Sequence, residues 1–317
     1  MLCQCTREDL ERDLDTQKVV CLFASLAPDD RLIDFYRLSK GHRNQNFLLS
    51  TSKGKYLLRI RSRQAEHWPA TSDVEQAVFH QLEQSIVHPV LLCKRRDLSM
   101  ECDLYDYLEG RELDGAMDFL SVDAMHQLFF QLGHDLASIH ATKSFASPGV
   151  LDENLNIVKV LPGILSWWDL FATETLKRRL DVLLWERIRK ALDTHQSTCR
   201  LLDEDVCLVH GDCSRENILL RTSDLAFLDW EFVSAGHRYA DIGQLFRGVS
   251  GEAKERTWFE QGYESRLPGV LDELWWRLAK LRDLFSLIQL MGRTETEEER
   301  VNDLTKWLVH TLGELER

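Results

Sequence analysis

The chain has 317 residues, 44% of them hydrophobic and 29% charged, which suits a soluble two-lobed protein or one domain with insertions. Its longest apolar stretch, around Val19–Ala24, is far short of a membrane span, and the acidic lead-in from Glu8 to Asp15 is unlike a secretory signal, so a cytoplasmic address and no membrane partner are expected. The net charge of −13 is uneven: residues 1–110 carry 15 Lys/Arg and 17 Asp/Glu, a balance of −2, leaving −11 on the rest, which disfavours nucleic acid and attracts cations if it does more than keep the chain soluble.

The first third reads as strands with one clear helix. Arg31–Leu38, Gln45–Ser50 and Lys55–Ile60 are strand-like, and a Ser52-Lys53-Gly54 turn predicts that the last two form an antiparallel hairpin. Ser72 followed three residues later by Glu75 resembles a capping box, with Val74, Ala77, Val78 and Leu82 as the apolar helix face. Two more strands are expected near Ile86–Cys93 and Met100–Leu108. After Gly110 the periodicity turns helical: Leu128, Leu132, Leu136 and Ile139, then one long helical region from about Ser166 to Leu192. Short strands return between Val206 and Trp230. Leu271, Leu274, Leu278, Leu281, Phe285 and Ile288 then mark one buried stripe, and Val301, Leu304, Leu308 and Leu312 mark another. The eight cysteines are scattered without a C-x-x-C pair and read as reduced buried thiols; Cys213, beside Asp212, is the one candidate oxidant sensor.

The chemistry concentrates in Val209-His210-Gly211-Asp212-Cys213-Ser214-Arg215-Glu216-Asn217, followed by the apolar Ile218-Leu219-Leu220 and, eight residues on, Leu228-Asp229-Trp230-Glu231. A carboxylate at the head of a loop can accept the proton of a nucleophilic hydroxyl. An Asn at its end and a second carboxylate after the next strand together offer hard oxygen ligands to Mg²⁺. Phosphoryl transfer needs this kind of positioning and charge neutralisation more than covalent help. At these positions the chain resembles the aminoglycoside phosphotransferase and choline kinase superfamily, relatives of the protein kinases. His210-Gly211-Asp212 stands in place of the protein kinase H-R-D, and Asp229-Trp230-Glu231 in place of D-F-G. The likeness runs on through Ser234–Gly243 and its Asp241-Ile242 pair. The resemblance implies Asp212 as catalytic base, Asn217 and Asp229 as magnesium ligands, and Asp241 as a brace for the loop.

Upstream, Lys40–Phe47 is similar to the family's shortened phosphate-covering hairpin, with Gly41, Asn44 and Asn46 as nucleotide contacts; a plain hairpin turn is the other account. Arg59 stands where the protein kinases keep a phosphate-binding Lys, with Arg61 a same-face rival. Glu75 is either the ion-pair partner of Arg59 or the cap of its own helix. The hinge, with its adenine contacts, falls at Tyr105–Gly110 and includes Asp106, Tyr107 and Leu108. Seven tryptophans, Trp167, Trp168, Trp185, Trp258, Trp275, Trp276 and Trp307, lie in the helical part, as core packing or as a cage for a quaternary ammonium.

The resemblance implies an α+β, protein-kinase-like two-lobed fold: a small antiparallel-sheet lobe over 1–103, a hinge over 104–110 and a mainly helical lobe over 111–317. It implies ATP and Mg²⁺ as cofactors and direct transfer of the γ-phosphoryl group to a hydroxyl of a small molecule. Trp230-Glu231 and the Tyr239–Ile242 ending lean toward the choline and thiamine kinase-like branches, and the acidic lobe toward a cationic acceptor. The rivals are a nucleotide-binding module without catalysis, a protein kinase, and, on His210, Asp212 and Asp229, a metallohydrolase.

Overall fold

A computed structural model describes residues 16–38, 44–62, 70–96, 100–294 and 296–317. The chain divides into two compact units, Met1–Ser72 with His88–Gly110 and Asp73–Val87 with Arg111–Arg317.

In the first unit, α1 (Thr16–Leu26) precedes β1 (Leu32–Arg37), β2 (Gln45–Thr51), β3 (Lys55–Ser62), β4 (Leu91–Arg96) and β5 (Met100–Asp106). The strands form one antiparallel sheet in the order β1-β2-β3-β5-β4. The expected β2–β3 hairpin is present, closed by a 2.9 Å hydrogen bond from Thr51 N–H to Gly54 O. Val19, Leu22, Phe23 and Leu26 recur at i, i+3, i+4 and i+7, so one face of α1 is apolar, and it packs on Phe47, Leu49, Leu58, Ile60 and Leu104 of the sheet. β4 begins at Leu91 rather than at Ile86. Pro89 has no N–H for a ladder, and the Ile86 N–H closes a turn on Glu83 O at 3.0 Å.

The next stretch contains α2 (Ser72–Phe79), β6 (Arg111–Glu112), α3 (Leu113–Met117), α4 (Val122–Ala141), β7 (Gly149–Leu151) and β8 (Ile157–Val160). The region expected as one helical run is three helices: α5 (Ser166–Phe171), α6 (Glu174–Arg179) and α7 (Val182–Thr194). Thr173 and Asp181 are extended, and their side chains accept the N–H of Leu176 at 3.2 Å and of Leu184 at 2.7 Å. Each is an N-cap that starts a helix, which is why the apolar periodicity does not continue as one rod. After α8 (Gln196–Arg200) come β9 (Val206–Val209), β10 (Ile218–Leu220), β11 (Leu225–Phe227) and β12 (Ser234–His237). They build two small sheets, β8-β7-β12-β9 and β11-β10-β6. Four helices complete the unit: α9 (Tyr239–Leu245), α10 (Lys254–Arg266), α11 (Trp275–Gly292) and α12 (Glu298–Leu315).

Leu271 and Leu274 precede α11 instead of lying on its stripe, because the chain turns at Asp272, whose Oδ1 accepts the Leu274 N–H at 2.7 Å and whose carbonyl accepts the Trp275 N–H at 3.1 Å. Trp276, offset from that stripe, is buried all the same, since α11 packs against both α9 and α12. α4 and α10 meet backbone to backbone. A Cβ on Gly133 would lie 2.1 Å from Phe259 O, and one on Gly262 would lie 1.9 Å from Phe130 O. The α+β architecture expected from the sequence is therefore the one that forms.

Candidate active site

β9 is buried throughout and delivers the chain to His210. Gly211 follows with φ +82°, and a Cβ there would lie 2.1 Å from Phe232 O. Both the backbone conformation and the neighbour demand glycine, which is the local reason this loop is H-G-D. The N–H groups of His210 and Gly211 donate to the two carboxylate oxygens of Asp241, at 2.8 Å each, and Gln244 Nε2 donates to Gly211 O at 3.1 Å. Asp241 is fully buried and also lies 3.1 Å from His140 Nε2, whose Nδ1 lies 2.7 Å from the Tyr263 hydroxyl. Burial works to raise the Asp241 carboxyl, but the bonds from His140 and Gly211 outweigh it and hold the group below the usual carboxylate range. Burial likewise depresses His140, which is therefore neutral: its Nε2–H donates to Asp241 and its Nδ1 accepts from Tyr263.

His210 Nε2 donates to Leu228 O at 2.9 Å, leaving Nδ1 to accept the Asp212 N–H at 3.3 Å. The Asn217 amide makes two 2.9 Å bonds, from Nδ2 to the carbonyl and to Oδ2 of Asp212, so its own Oδ1 and the Asp212 Oδ1 are left over. The Asn217 carbonyl accepts the Leu228 N–H at 2.8 Å, which ties the end of the loop to the residue before Asp229. Asp229 sits in the left-handed region, φ +61°, where Asp is one of the few tolerated side chains. Burial raises the Asp212 carboxyl above the ordinary carboxylate value; the neighbouring Asp229 charge adds to this, while Arg247 and the Asn217 bond oppose it. Asp212, Asn217 and Asp229 are thus brought together. Cys213 is fully buried, and burial pushes its thiol well above the ordinary value, so the expectation of an oxidant sensor gives way to an inert thiol.

In the first unit, Gly41 lies outside the described residues. Asn44 is buried, and Asn46 pairs across the ladder with Arg59; its Oδ1 is buried with no hydrogen-bond partner among the described residues. Arg59 stacks on the Tyr105 ring at 5.5 Å. Arg61, on the same face, is committed elsewhere, to Asp103 Oδ2 at 2.8 and 3.2 Å, to Ala70 O at 3.0 Å and to the Tyr105 hydroxyl at 3.3 Å. Glu75, which belongs to the second unit, is buried, and in the first unit the Ser72 hydroxyl donates to Glu101. Asp106 spends its N–H on Val90 O at 3.0 Å and accepts the Val90 N–H on its carboxylate. The backbone groups of Tyr107 and Leu108 make no hydrogen bonds among the described residues.

Most of the tryptophan faces already carry the chain's own cations. Arg256 lies 5.1 Å from Trp275 and 5.2 Å from Trp276, which also faces Lys280 at 4.5 Å. Trp307 is approached by both Arg247 (5.4 Å) and Arg300 (5.1 Å), and Trp167 by Arg282 (4.6 Å). Burial brings Lys280 down to about 8, and its ammonium bonds to Phe246 O and Val249 O at 2.9 and 2.8 Å. Sequence reasoning missed His140, Tyr263, Gln244 and Arg247. The one available signal was a histidine closing the apolar face of α4.

Residues 34–284 match the profile of APH, the phosphotransferase enzyme family. No curated protein sequence matches the chain. Among solved structures, the chain is similar to the aminoglycoside phosphotransferase APH(4)-Ia, with TM-score 0.67, 16% identity, and 95% of this chain and 99% of that one covered. Spectinomycin phosphotransferase APH(9)-Ia, solved with ADP and spectinomycin, gives 0.66 at 12% identity, covering 96% and 99%. Choline kinase from Cryptosporidium parvum Iowa II gives 0.64 at 14%, covering 95% and 96%. These likenesses are of the fold, which is the kinase-like fold of aminoglycoside phosphotransferases and choline kinase. With a family profile spanning residues 34–284, the chain belongs to the phosphotransferase enzyme family.

Proposed function

We propose that the chain is an ATP- and Mg²⁺-dependent kinase that phosphorylates a hydroxyl of a small, cationic molecule. The observation that carries this is the Asp212 carboxylate, with Oδ2 fixed by Asn217 and Oδ1 left open beside the Asp229 charge. Asp212 Oδ1 is the atom that takes the acceptor hydroxyl's proton, and the Asn217 bond keeps that oxygen turned to the acceptor. Asn217 Oδ1 and the Asp229 carboxylate are the oxygens that fit Mg²⁺, a hard cation that takes few protein ligands and keeps the rest for phosphate and water. When bound, MgATP supplies the phosphoryl group and the cation that neutralises its developing charge. Arg59, on β3 with its guanidinium over the Tyr105 ring, is the candidate for the phosphate-side cation. The open backbone groups of Tyr107 and Leu108 suit the adenine edge better than those of Asp106, whose N–H is spent on Val90. Gly41, Asn44 and Asn46 remain the candidates for covering the phosphates, and Glu75 for orienting Arg59.

The domain reading follows the same lines, with nucleotide contacts in 1–103, a hinge over 104–110 and the catalytic loop and acceptor site in 111–317. The test is acceptor-dependent ADP release from MgATP by wild type and Asp212→Asn. The acceptors are aminoglycosides, a tuberactinomycin-type peptide, choline, ethanolamine, thiamine and homoserine. We expect release with one acceptor class and a loss of about 10²–10⁴-fold in the variant, the usual worth of a positioned base. Nucleotide binding without turnover on any acceptor would overturn the proposal in favour of a binding module, and so would a variant with the wild-type rate.

A further inference from the structure

A cavity of about 450 Å³ opens in the second unit where the end of α4, the start of β9 and the turn after α10 converge. Its lining carries both signs of charge, Arg238 and the consecutive acids Asp203, Glu204 and Asp205. They do not neutralise one another. Among the described residues no carboxylate pairs with the half-buried Arg238 guanidinium, whose one hydrogen bond runs from Nη1 to the Tyr263 hydroxyl at 3.3 Å. A guanidinium has five N–H donors, so four are left. Of the acids, Asp203 is held in place, accepting the Ile164 N–H on both oxygens at 2.8 and 3.1 Å, whereas Glu204 and Asp205 are exposed. The remaining wall is largely apolar, with Phe145, Leu267 and Val270 each half-buried.

Unlike charges that line one cavity without pairing, next to apolar surface, match a ligand that brings its own two charges and an apolar group. We infer that this cavity binds an apolar α-amino acid, with its carboxylate on Arg238, its ammonium toward Asp205 and Glu204, and its side chain against Phe145, Leu267 and Val270. A forked guanidinium meeting a carboxylate in a partly dry site is the strong form of this contact. The site also adjoins the catalytic loop through one continuous chain of hydrogen bonds. Arg238 donates to the Tyr263 oxygen, Tyr263 to His140 Nδ1 at 2.7 Å, His140 to Asp241 at 3.1 Å, and Asp241 accepts from Gly211 and His210 at 2.8 Å.

The test is calorimetric titration of the full chain, without nucleotide or acceptor, so its outcome is independent of phosphoryl transfer. L-leucine, L-methionine and L-phenylalanine are the probes, with leucinamide and N-acetyl-leucine as versions that each lack one charge. We expect saturable binding of at least one amino acid, one per chain, weakened tenfold or more when either charge is blocked. Arg238→Met should abolish it and Asp205→Asn should weaken it. Leu267→Trp, which fills the cavity and leaves the charges in place, should abolish it too; thermal melts identify any variant that has unfolded. Absence of binding by all three amino acids to wild type would overturn the inference. Equal affinity for the blocked analogues, or wild-type affinity in folded Arg238→Met, would do the same.

Discussion

Asp212 is asked to be both buried and ionised, and the two demands oppose each other. Its carboxyl lies above the ordinary carboxylate value because burial, and then Asp229, disfavour the charge. In the role of base proposed for it, Asp212 works only when ionised, so kcat/KM should fall on the acid side through a limb above the usual carboxylate range of about 4. A limb at or below that value would remove Asp212 as the titrating group. The same shift sets the sign for stability. The folded state holds the Asp212 proton more tightly than the unfolded chain does. This group's contribution is therefore favourable at low pH and is lost as pH rises through its folded value. Asp212→Asn should consequently melt above wild type at neutral pH, with the gap closing below about pH 4. Asp241 behaves oppositely, its depressed carboxyl stabilising the fold above the usual carboxylate value and ceasing to do so as pH falls through its folded one. The Asp212–Asn217–Asp229 trio was legible because its members lie within one short stretch whose spacing is the signal. Asp241's partners were not, since His140 and Tyr263 are brought to it only by the packing of α4 and α10.

Among elements, that α4–α10 contact is the one with least room to change. Gly133→Ala or Gly262→Ala would drive a methyl into a facing carbonyl, and overpacking of this kind costs about 1–3 kcal/mol. Denaturant melts should show it, and activity should fall with stability because the two helices carry His140 and Tyr263. A Gly133→Ala protein as stable as wild type would mean the helices can slide apart. Strands and long amphipathic helices were legible from period, as β2, β3 and α12 attest, but α1 went unread: its apolar run was weighed only as a membrane span, and the one helix expected in the first third was α2. The breaks at Thr173 and Asp181 were hidden, because a cap is one side chain in a run that otherwise keeps helical period. The tryptophans divided the same way. Periodicity assigned them to helices, but only contacts reveal that Arg256, Lys280, Arg247, Arg300 and Arg282 cover their faces.

For the whole molecule, the charge is carried by residues 111–317, −11 of the −13, and its field reaches beyond any single contact. A cationic acceptor attracted by that field should show a KM that rises with salt between about 0.01 and about 1 M, as the Debye length shrinks from about 30 to about 3 Å. The KM of an uncharged acceptor analogue should stay level over the same range. A cationic acceptor whose KM ignores salt would place its recognition in local contacts alone. Net charge was legible from composition, but its local exceptions were not: Arg247, beside Asp212, is bound by Asp283 at 2.6 Å, a pairing of residues distant in sequence.

The near-contact between Gly211 and the Phe232 carbonyl also bears on ancestry. A lineage with this loop cannot drift to the protein kinase H-R-D by a single codon change, because any side chain at 211 must first have Phe232 withdrawn. The two residues would have to change in concert, through an intermediate poorer than either end. In this chain the barrier is one backbone atom wide, and the glycine persists for as long as its neighbour stays.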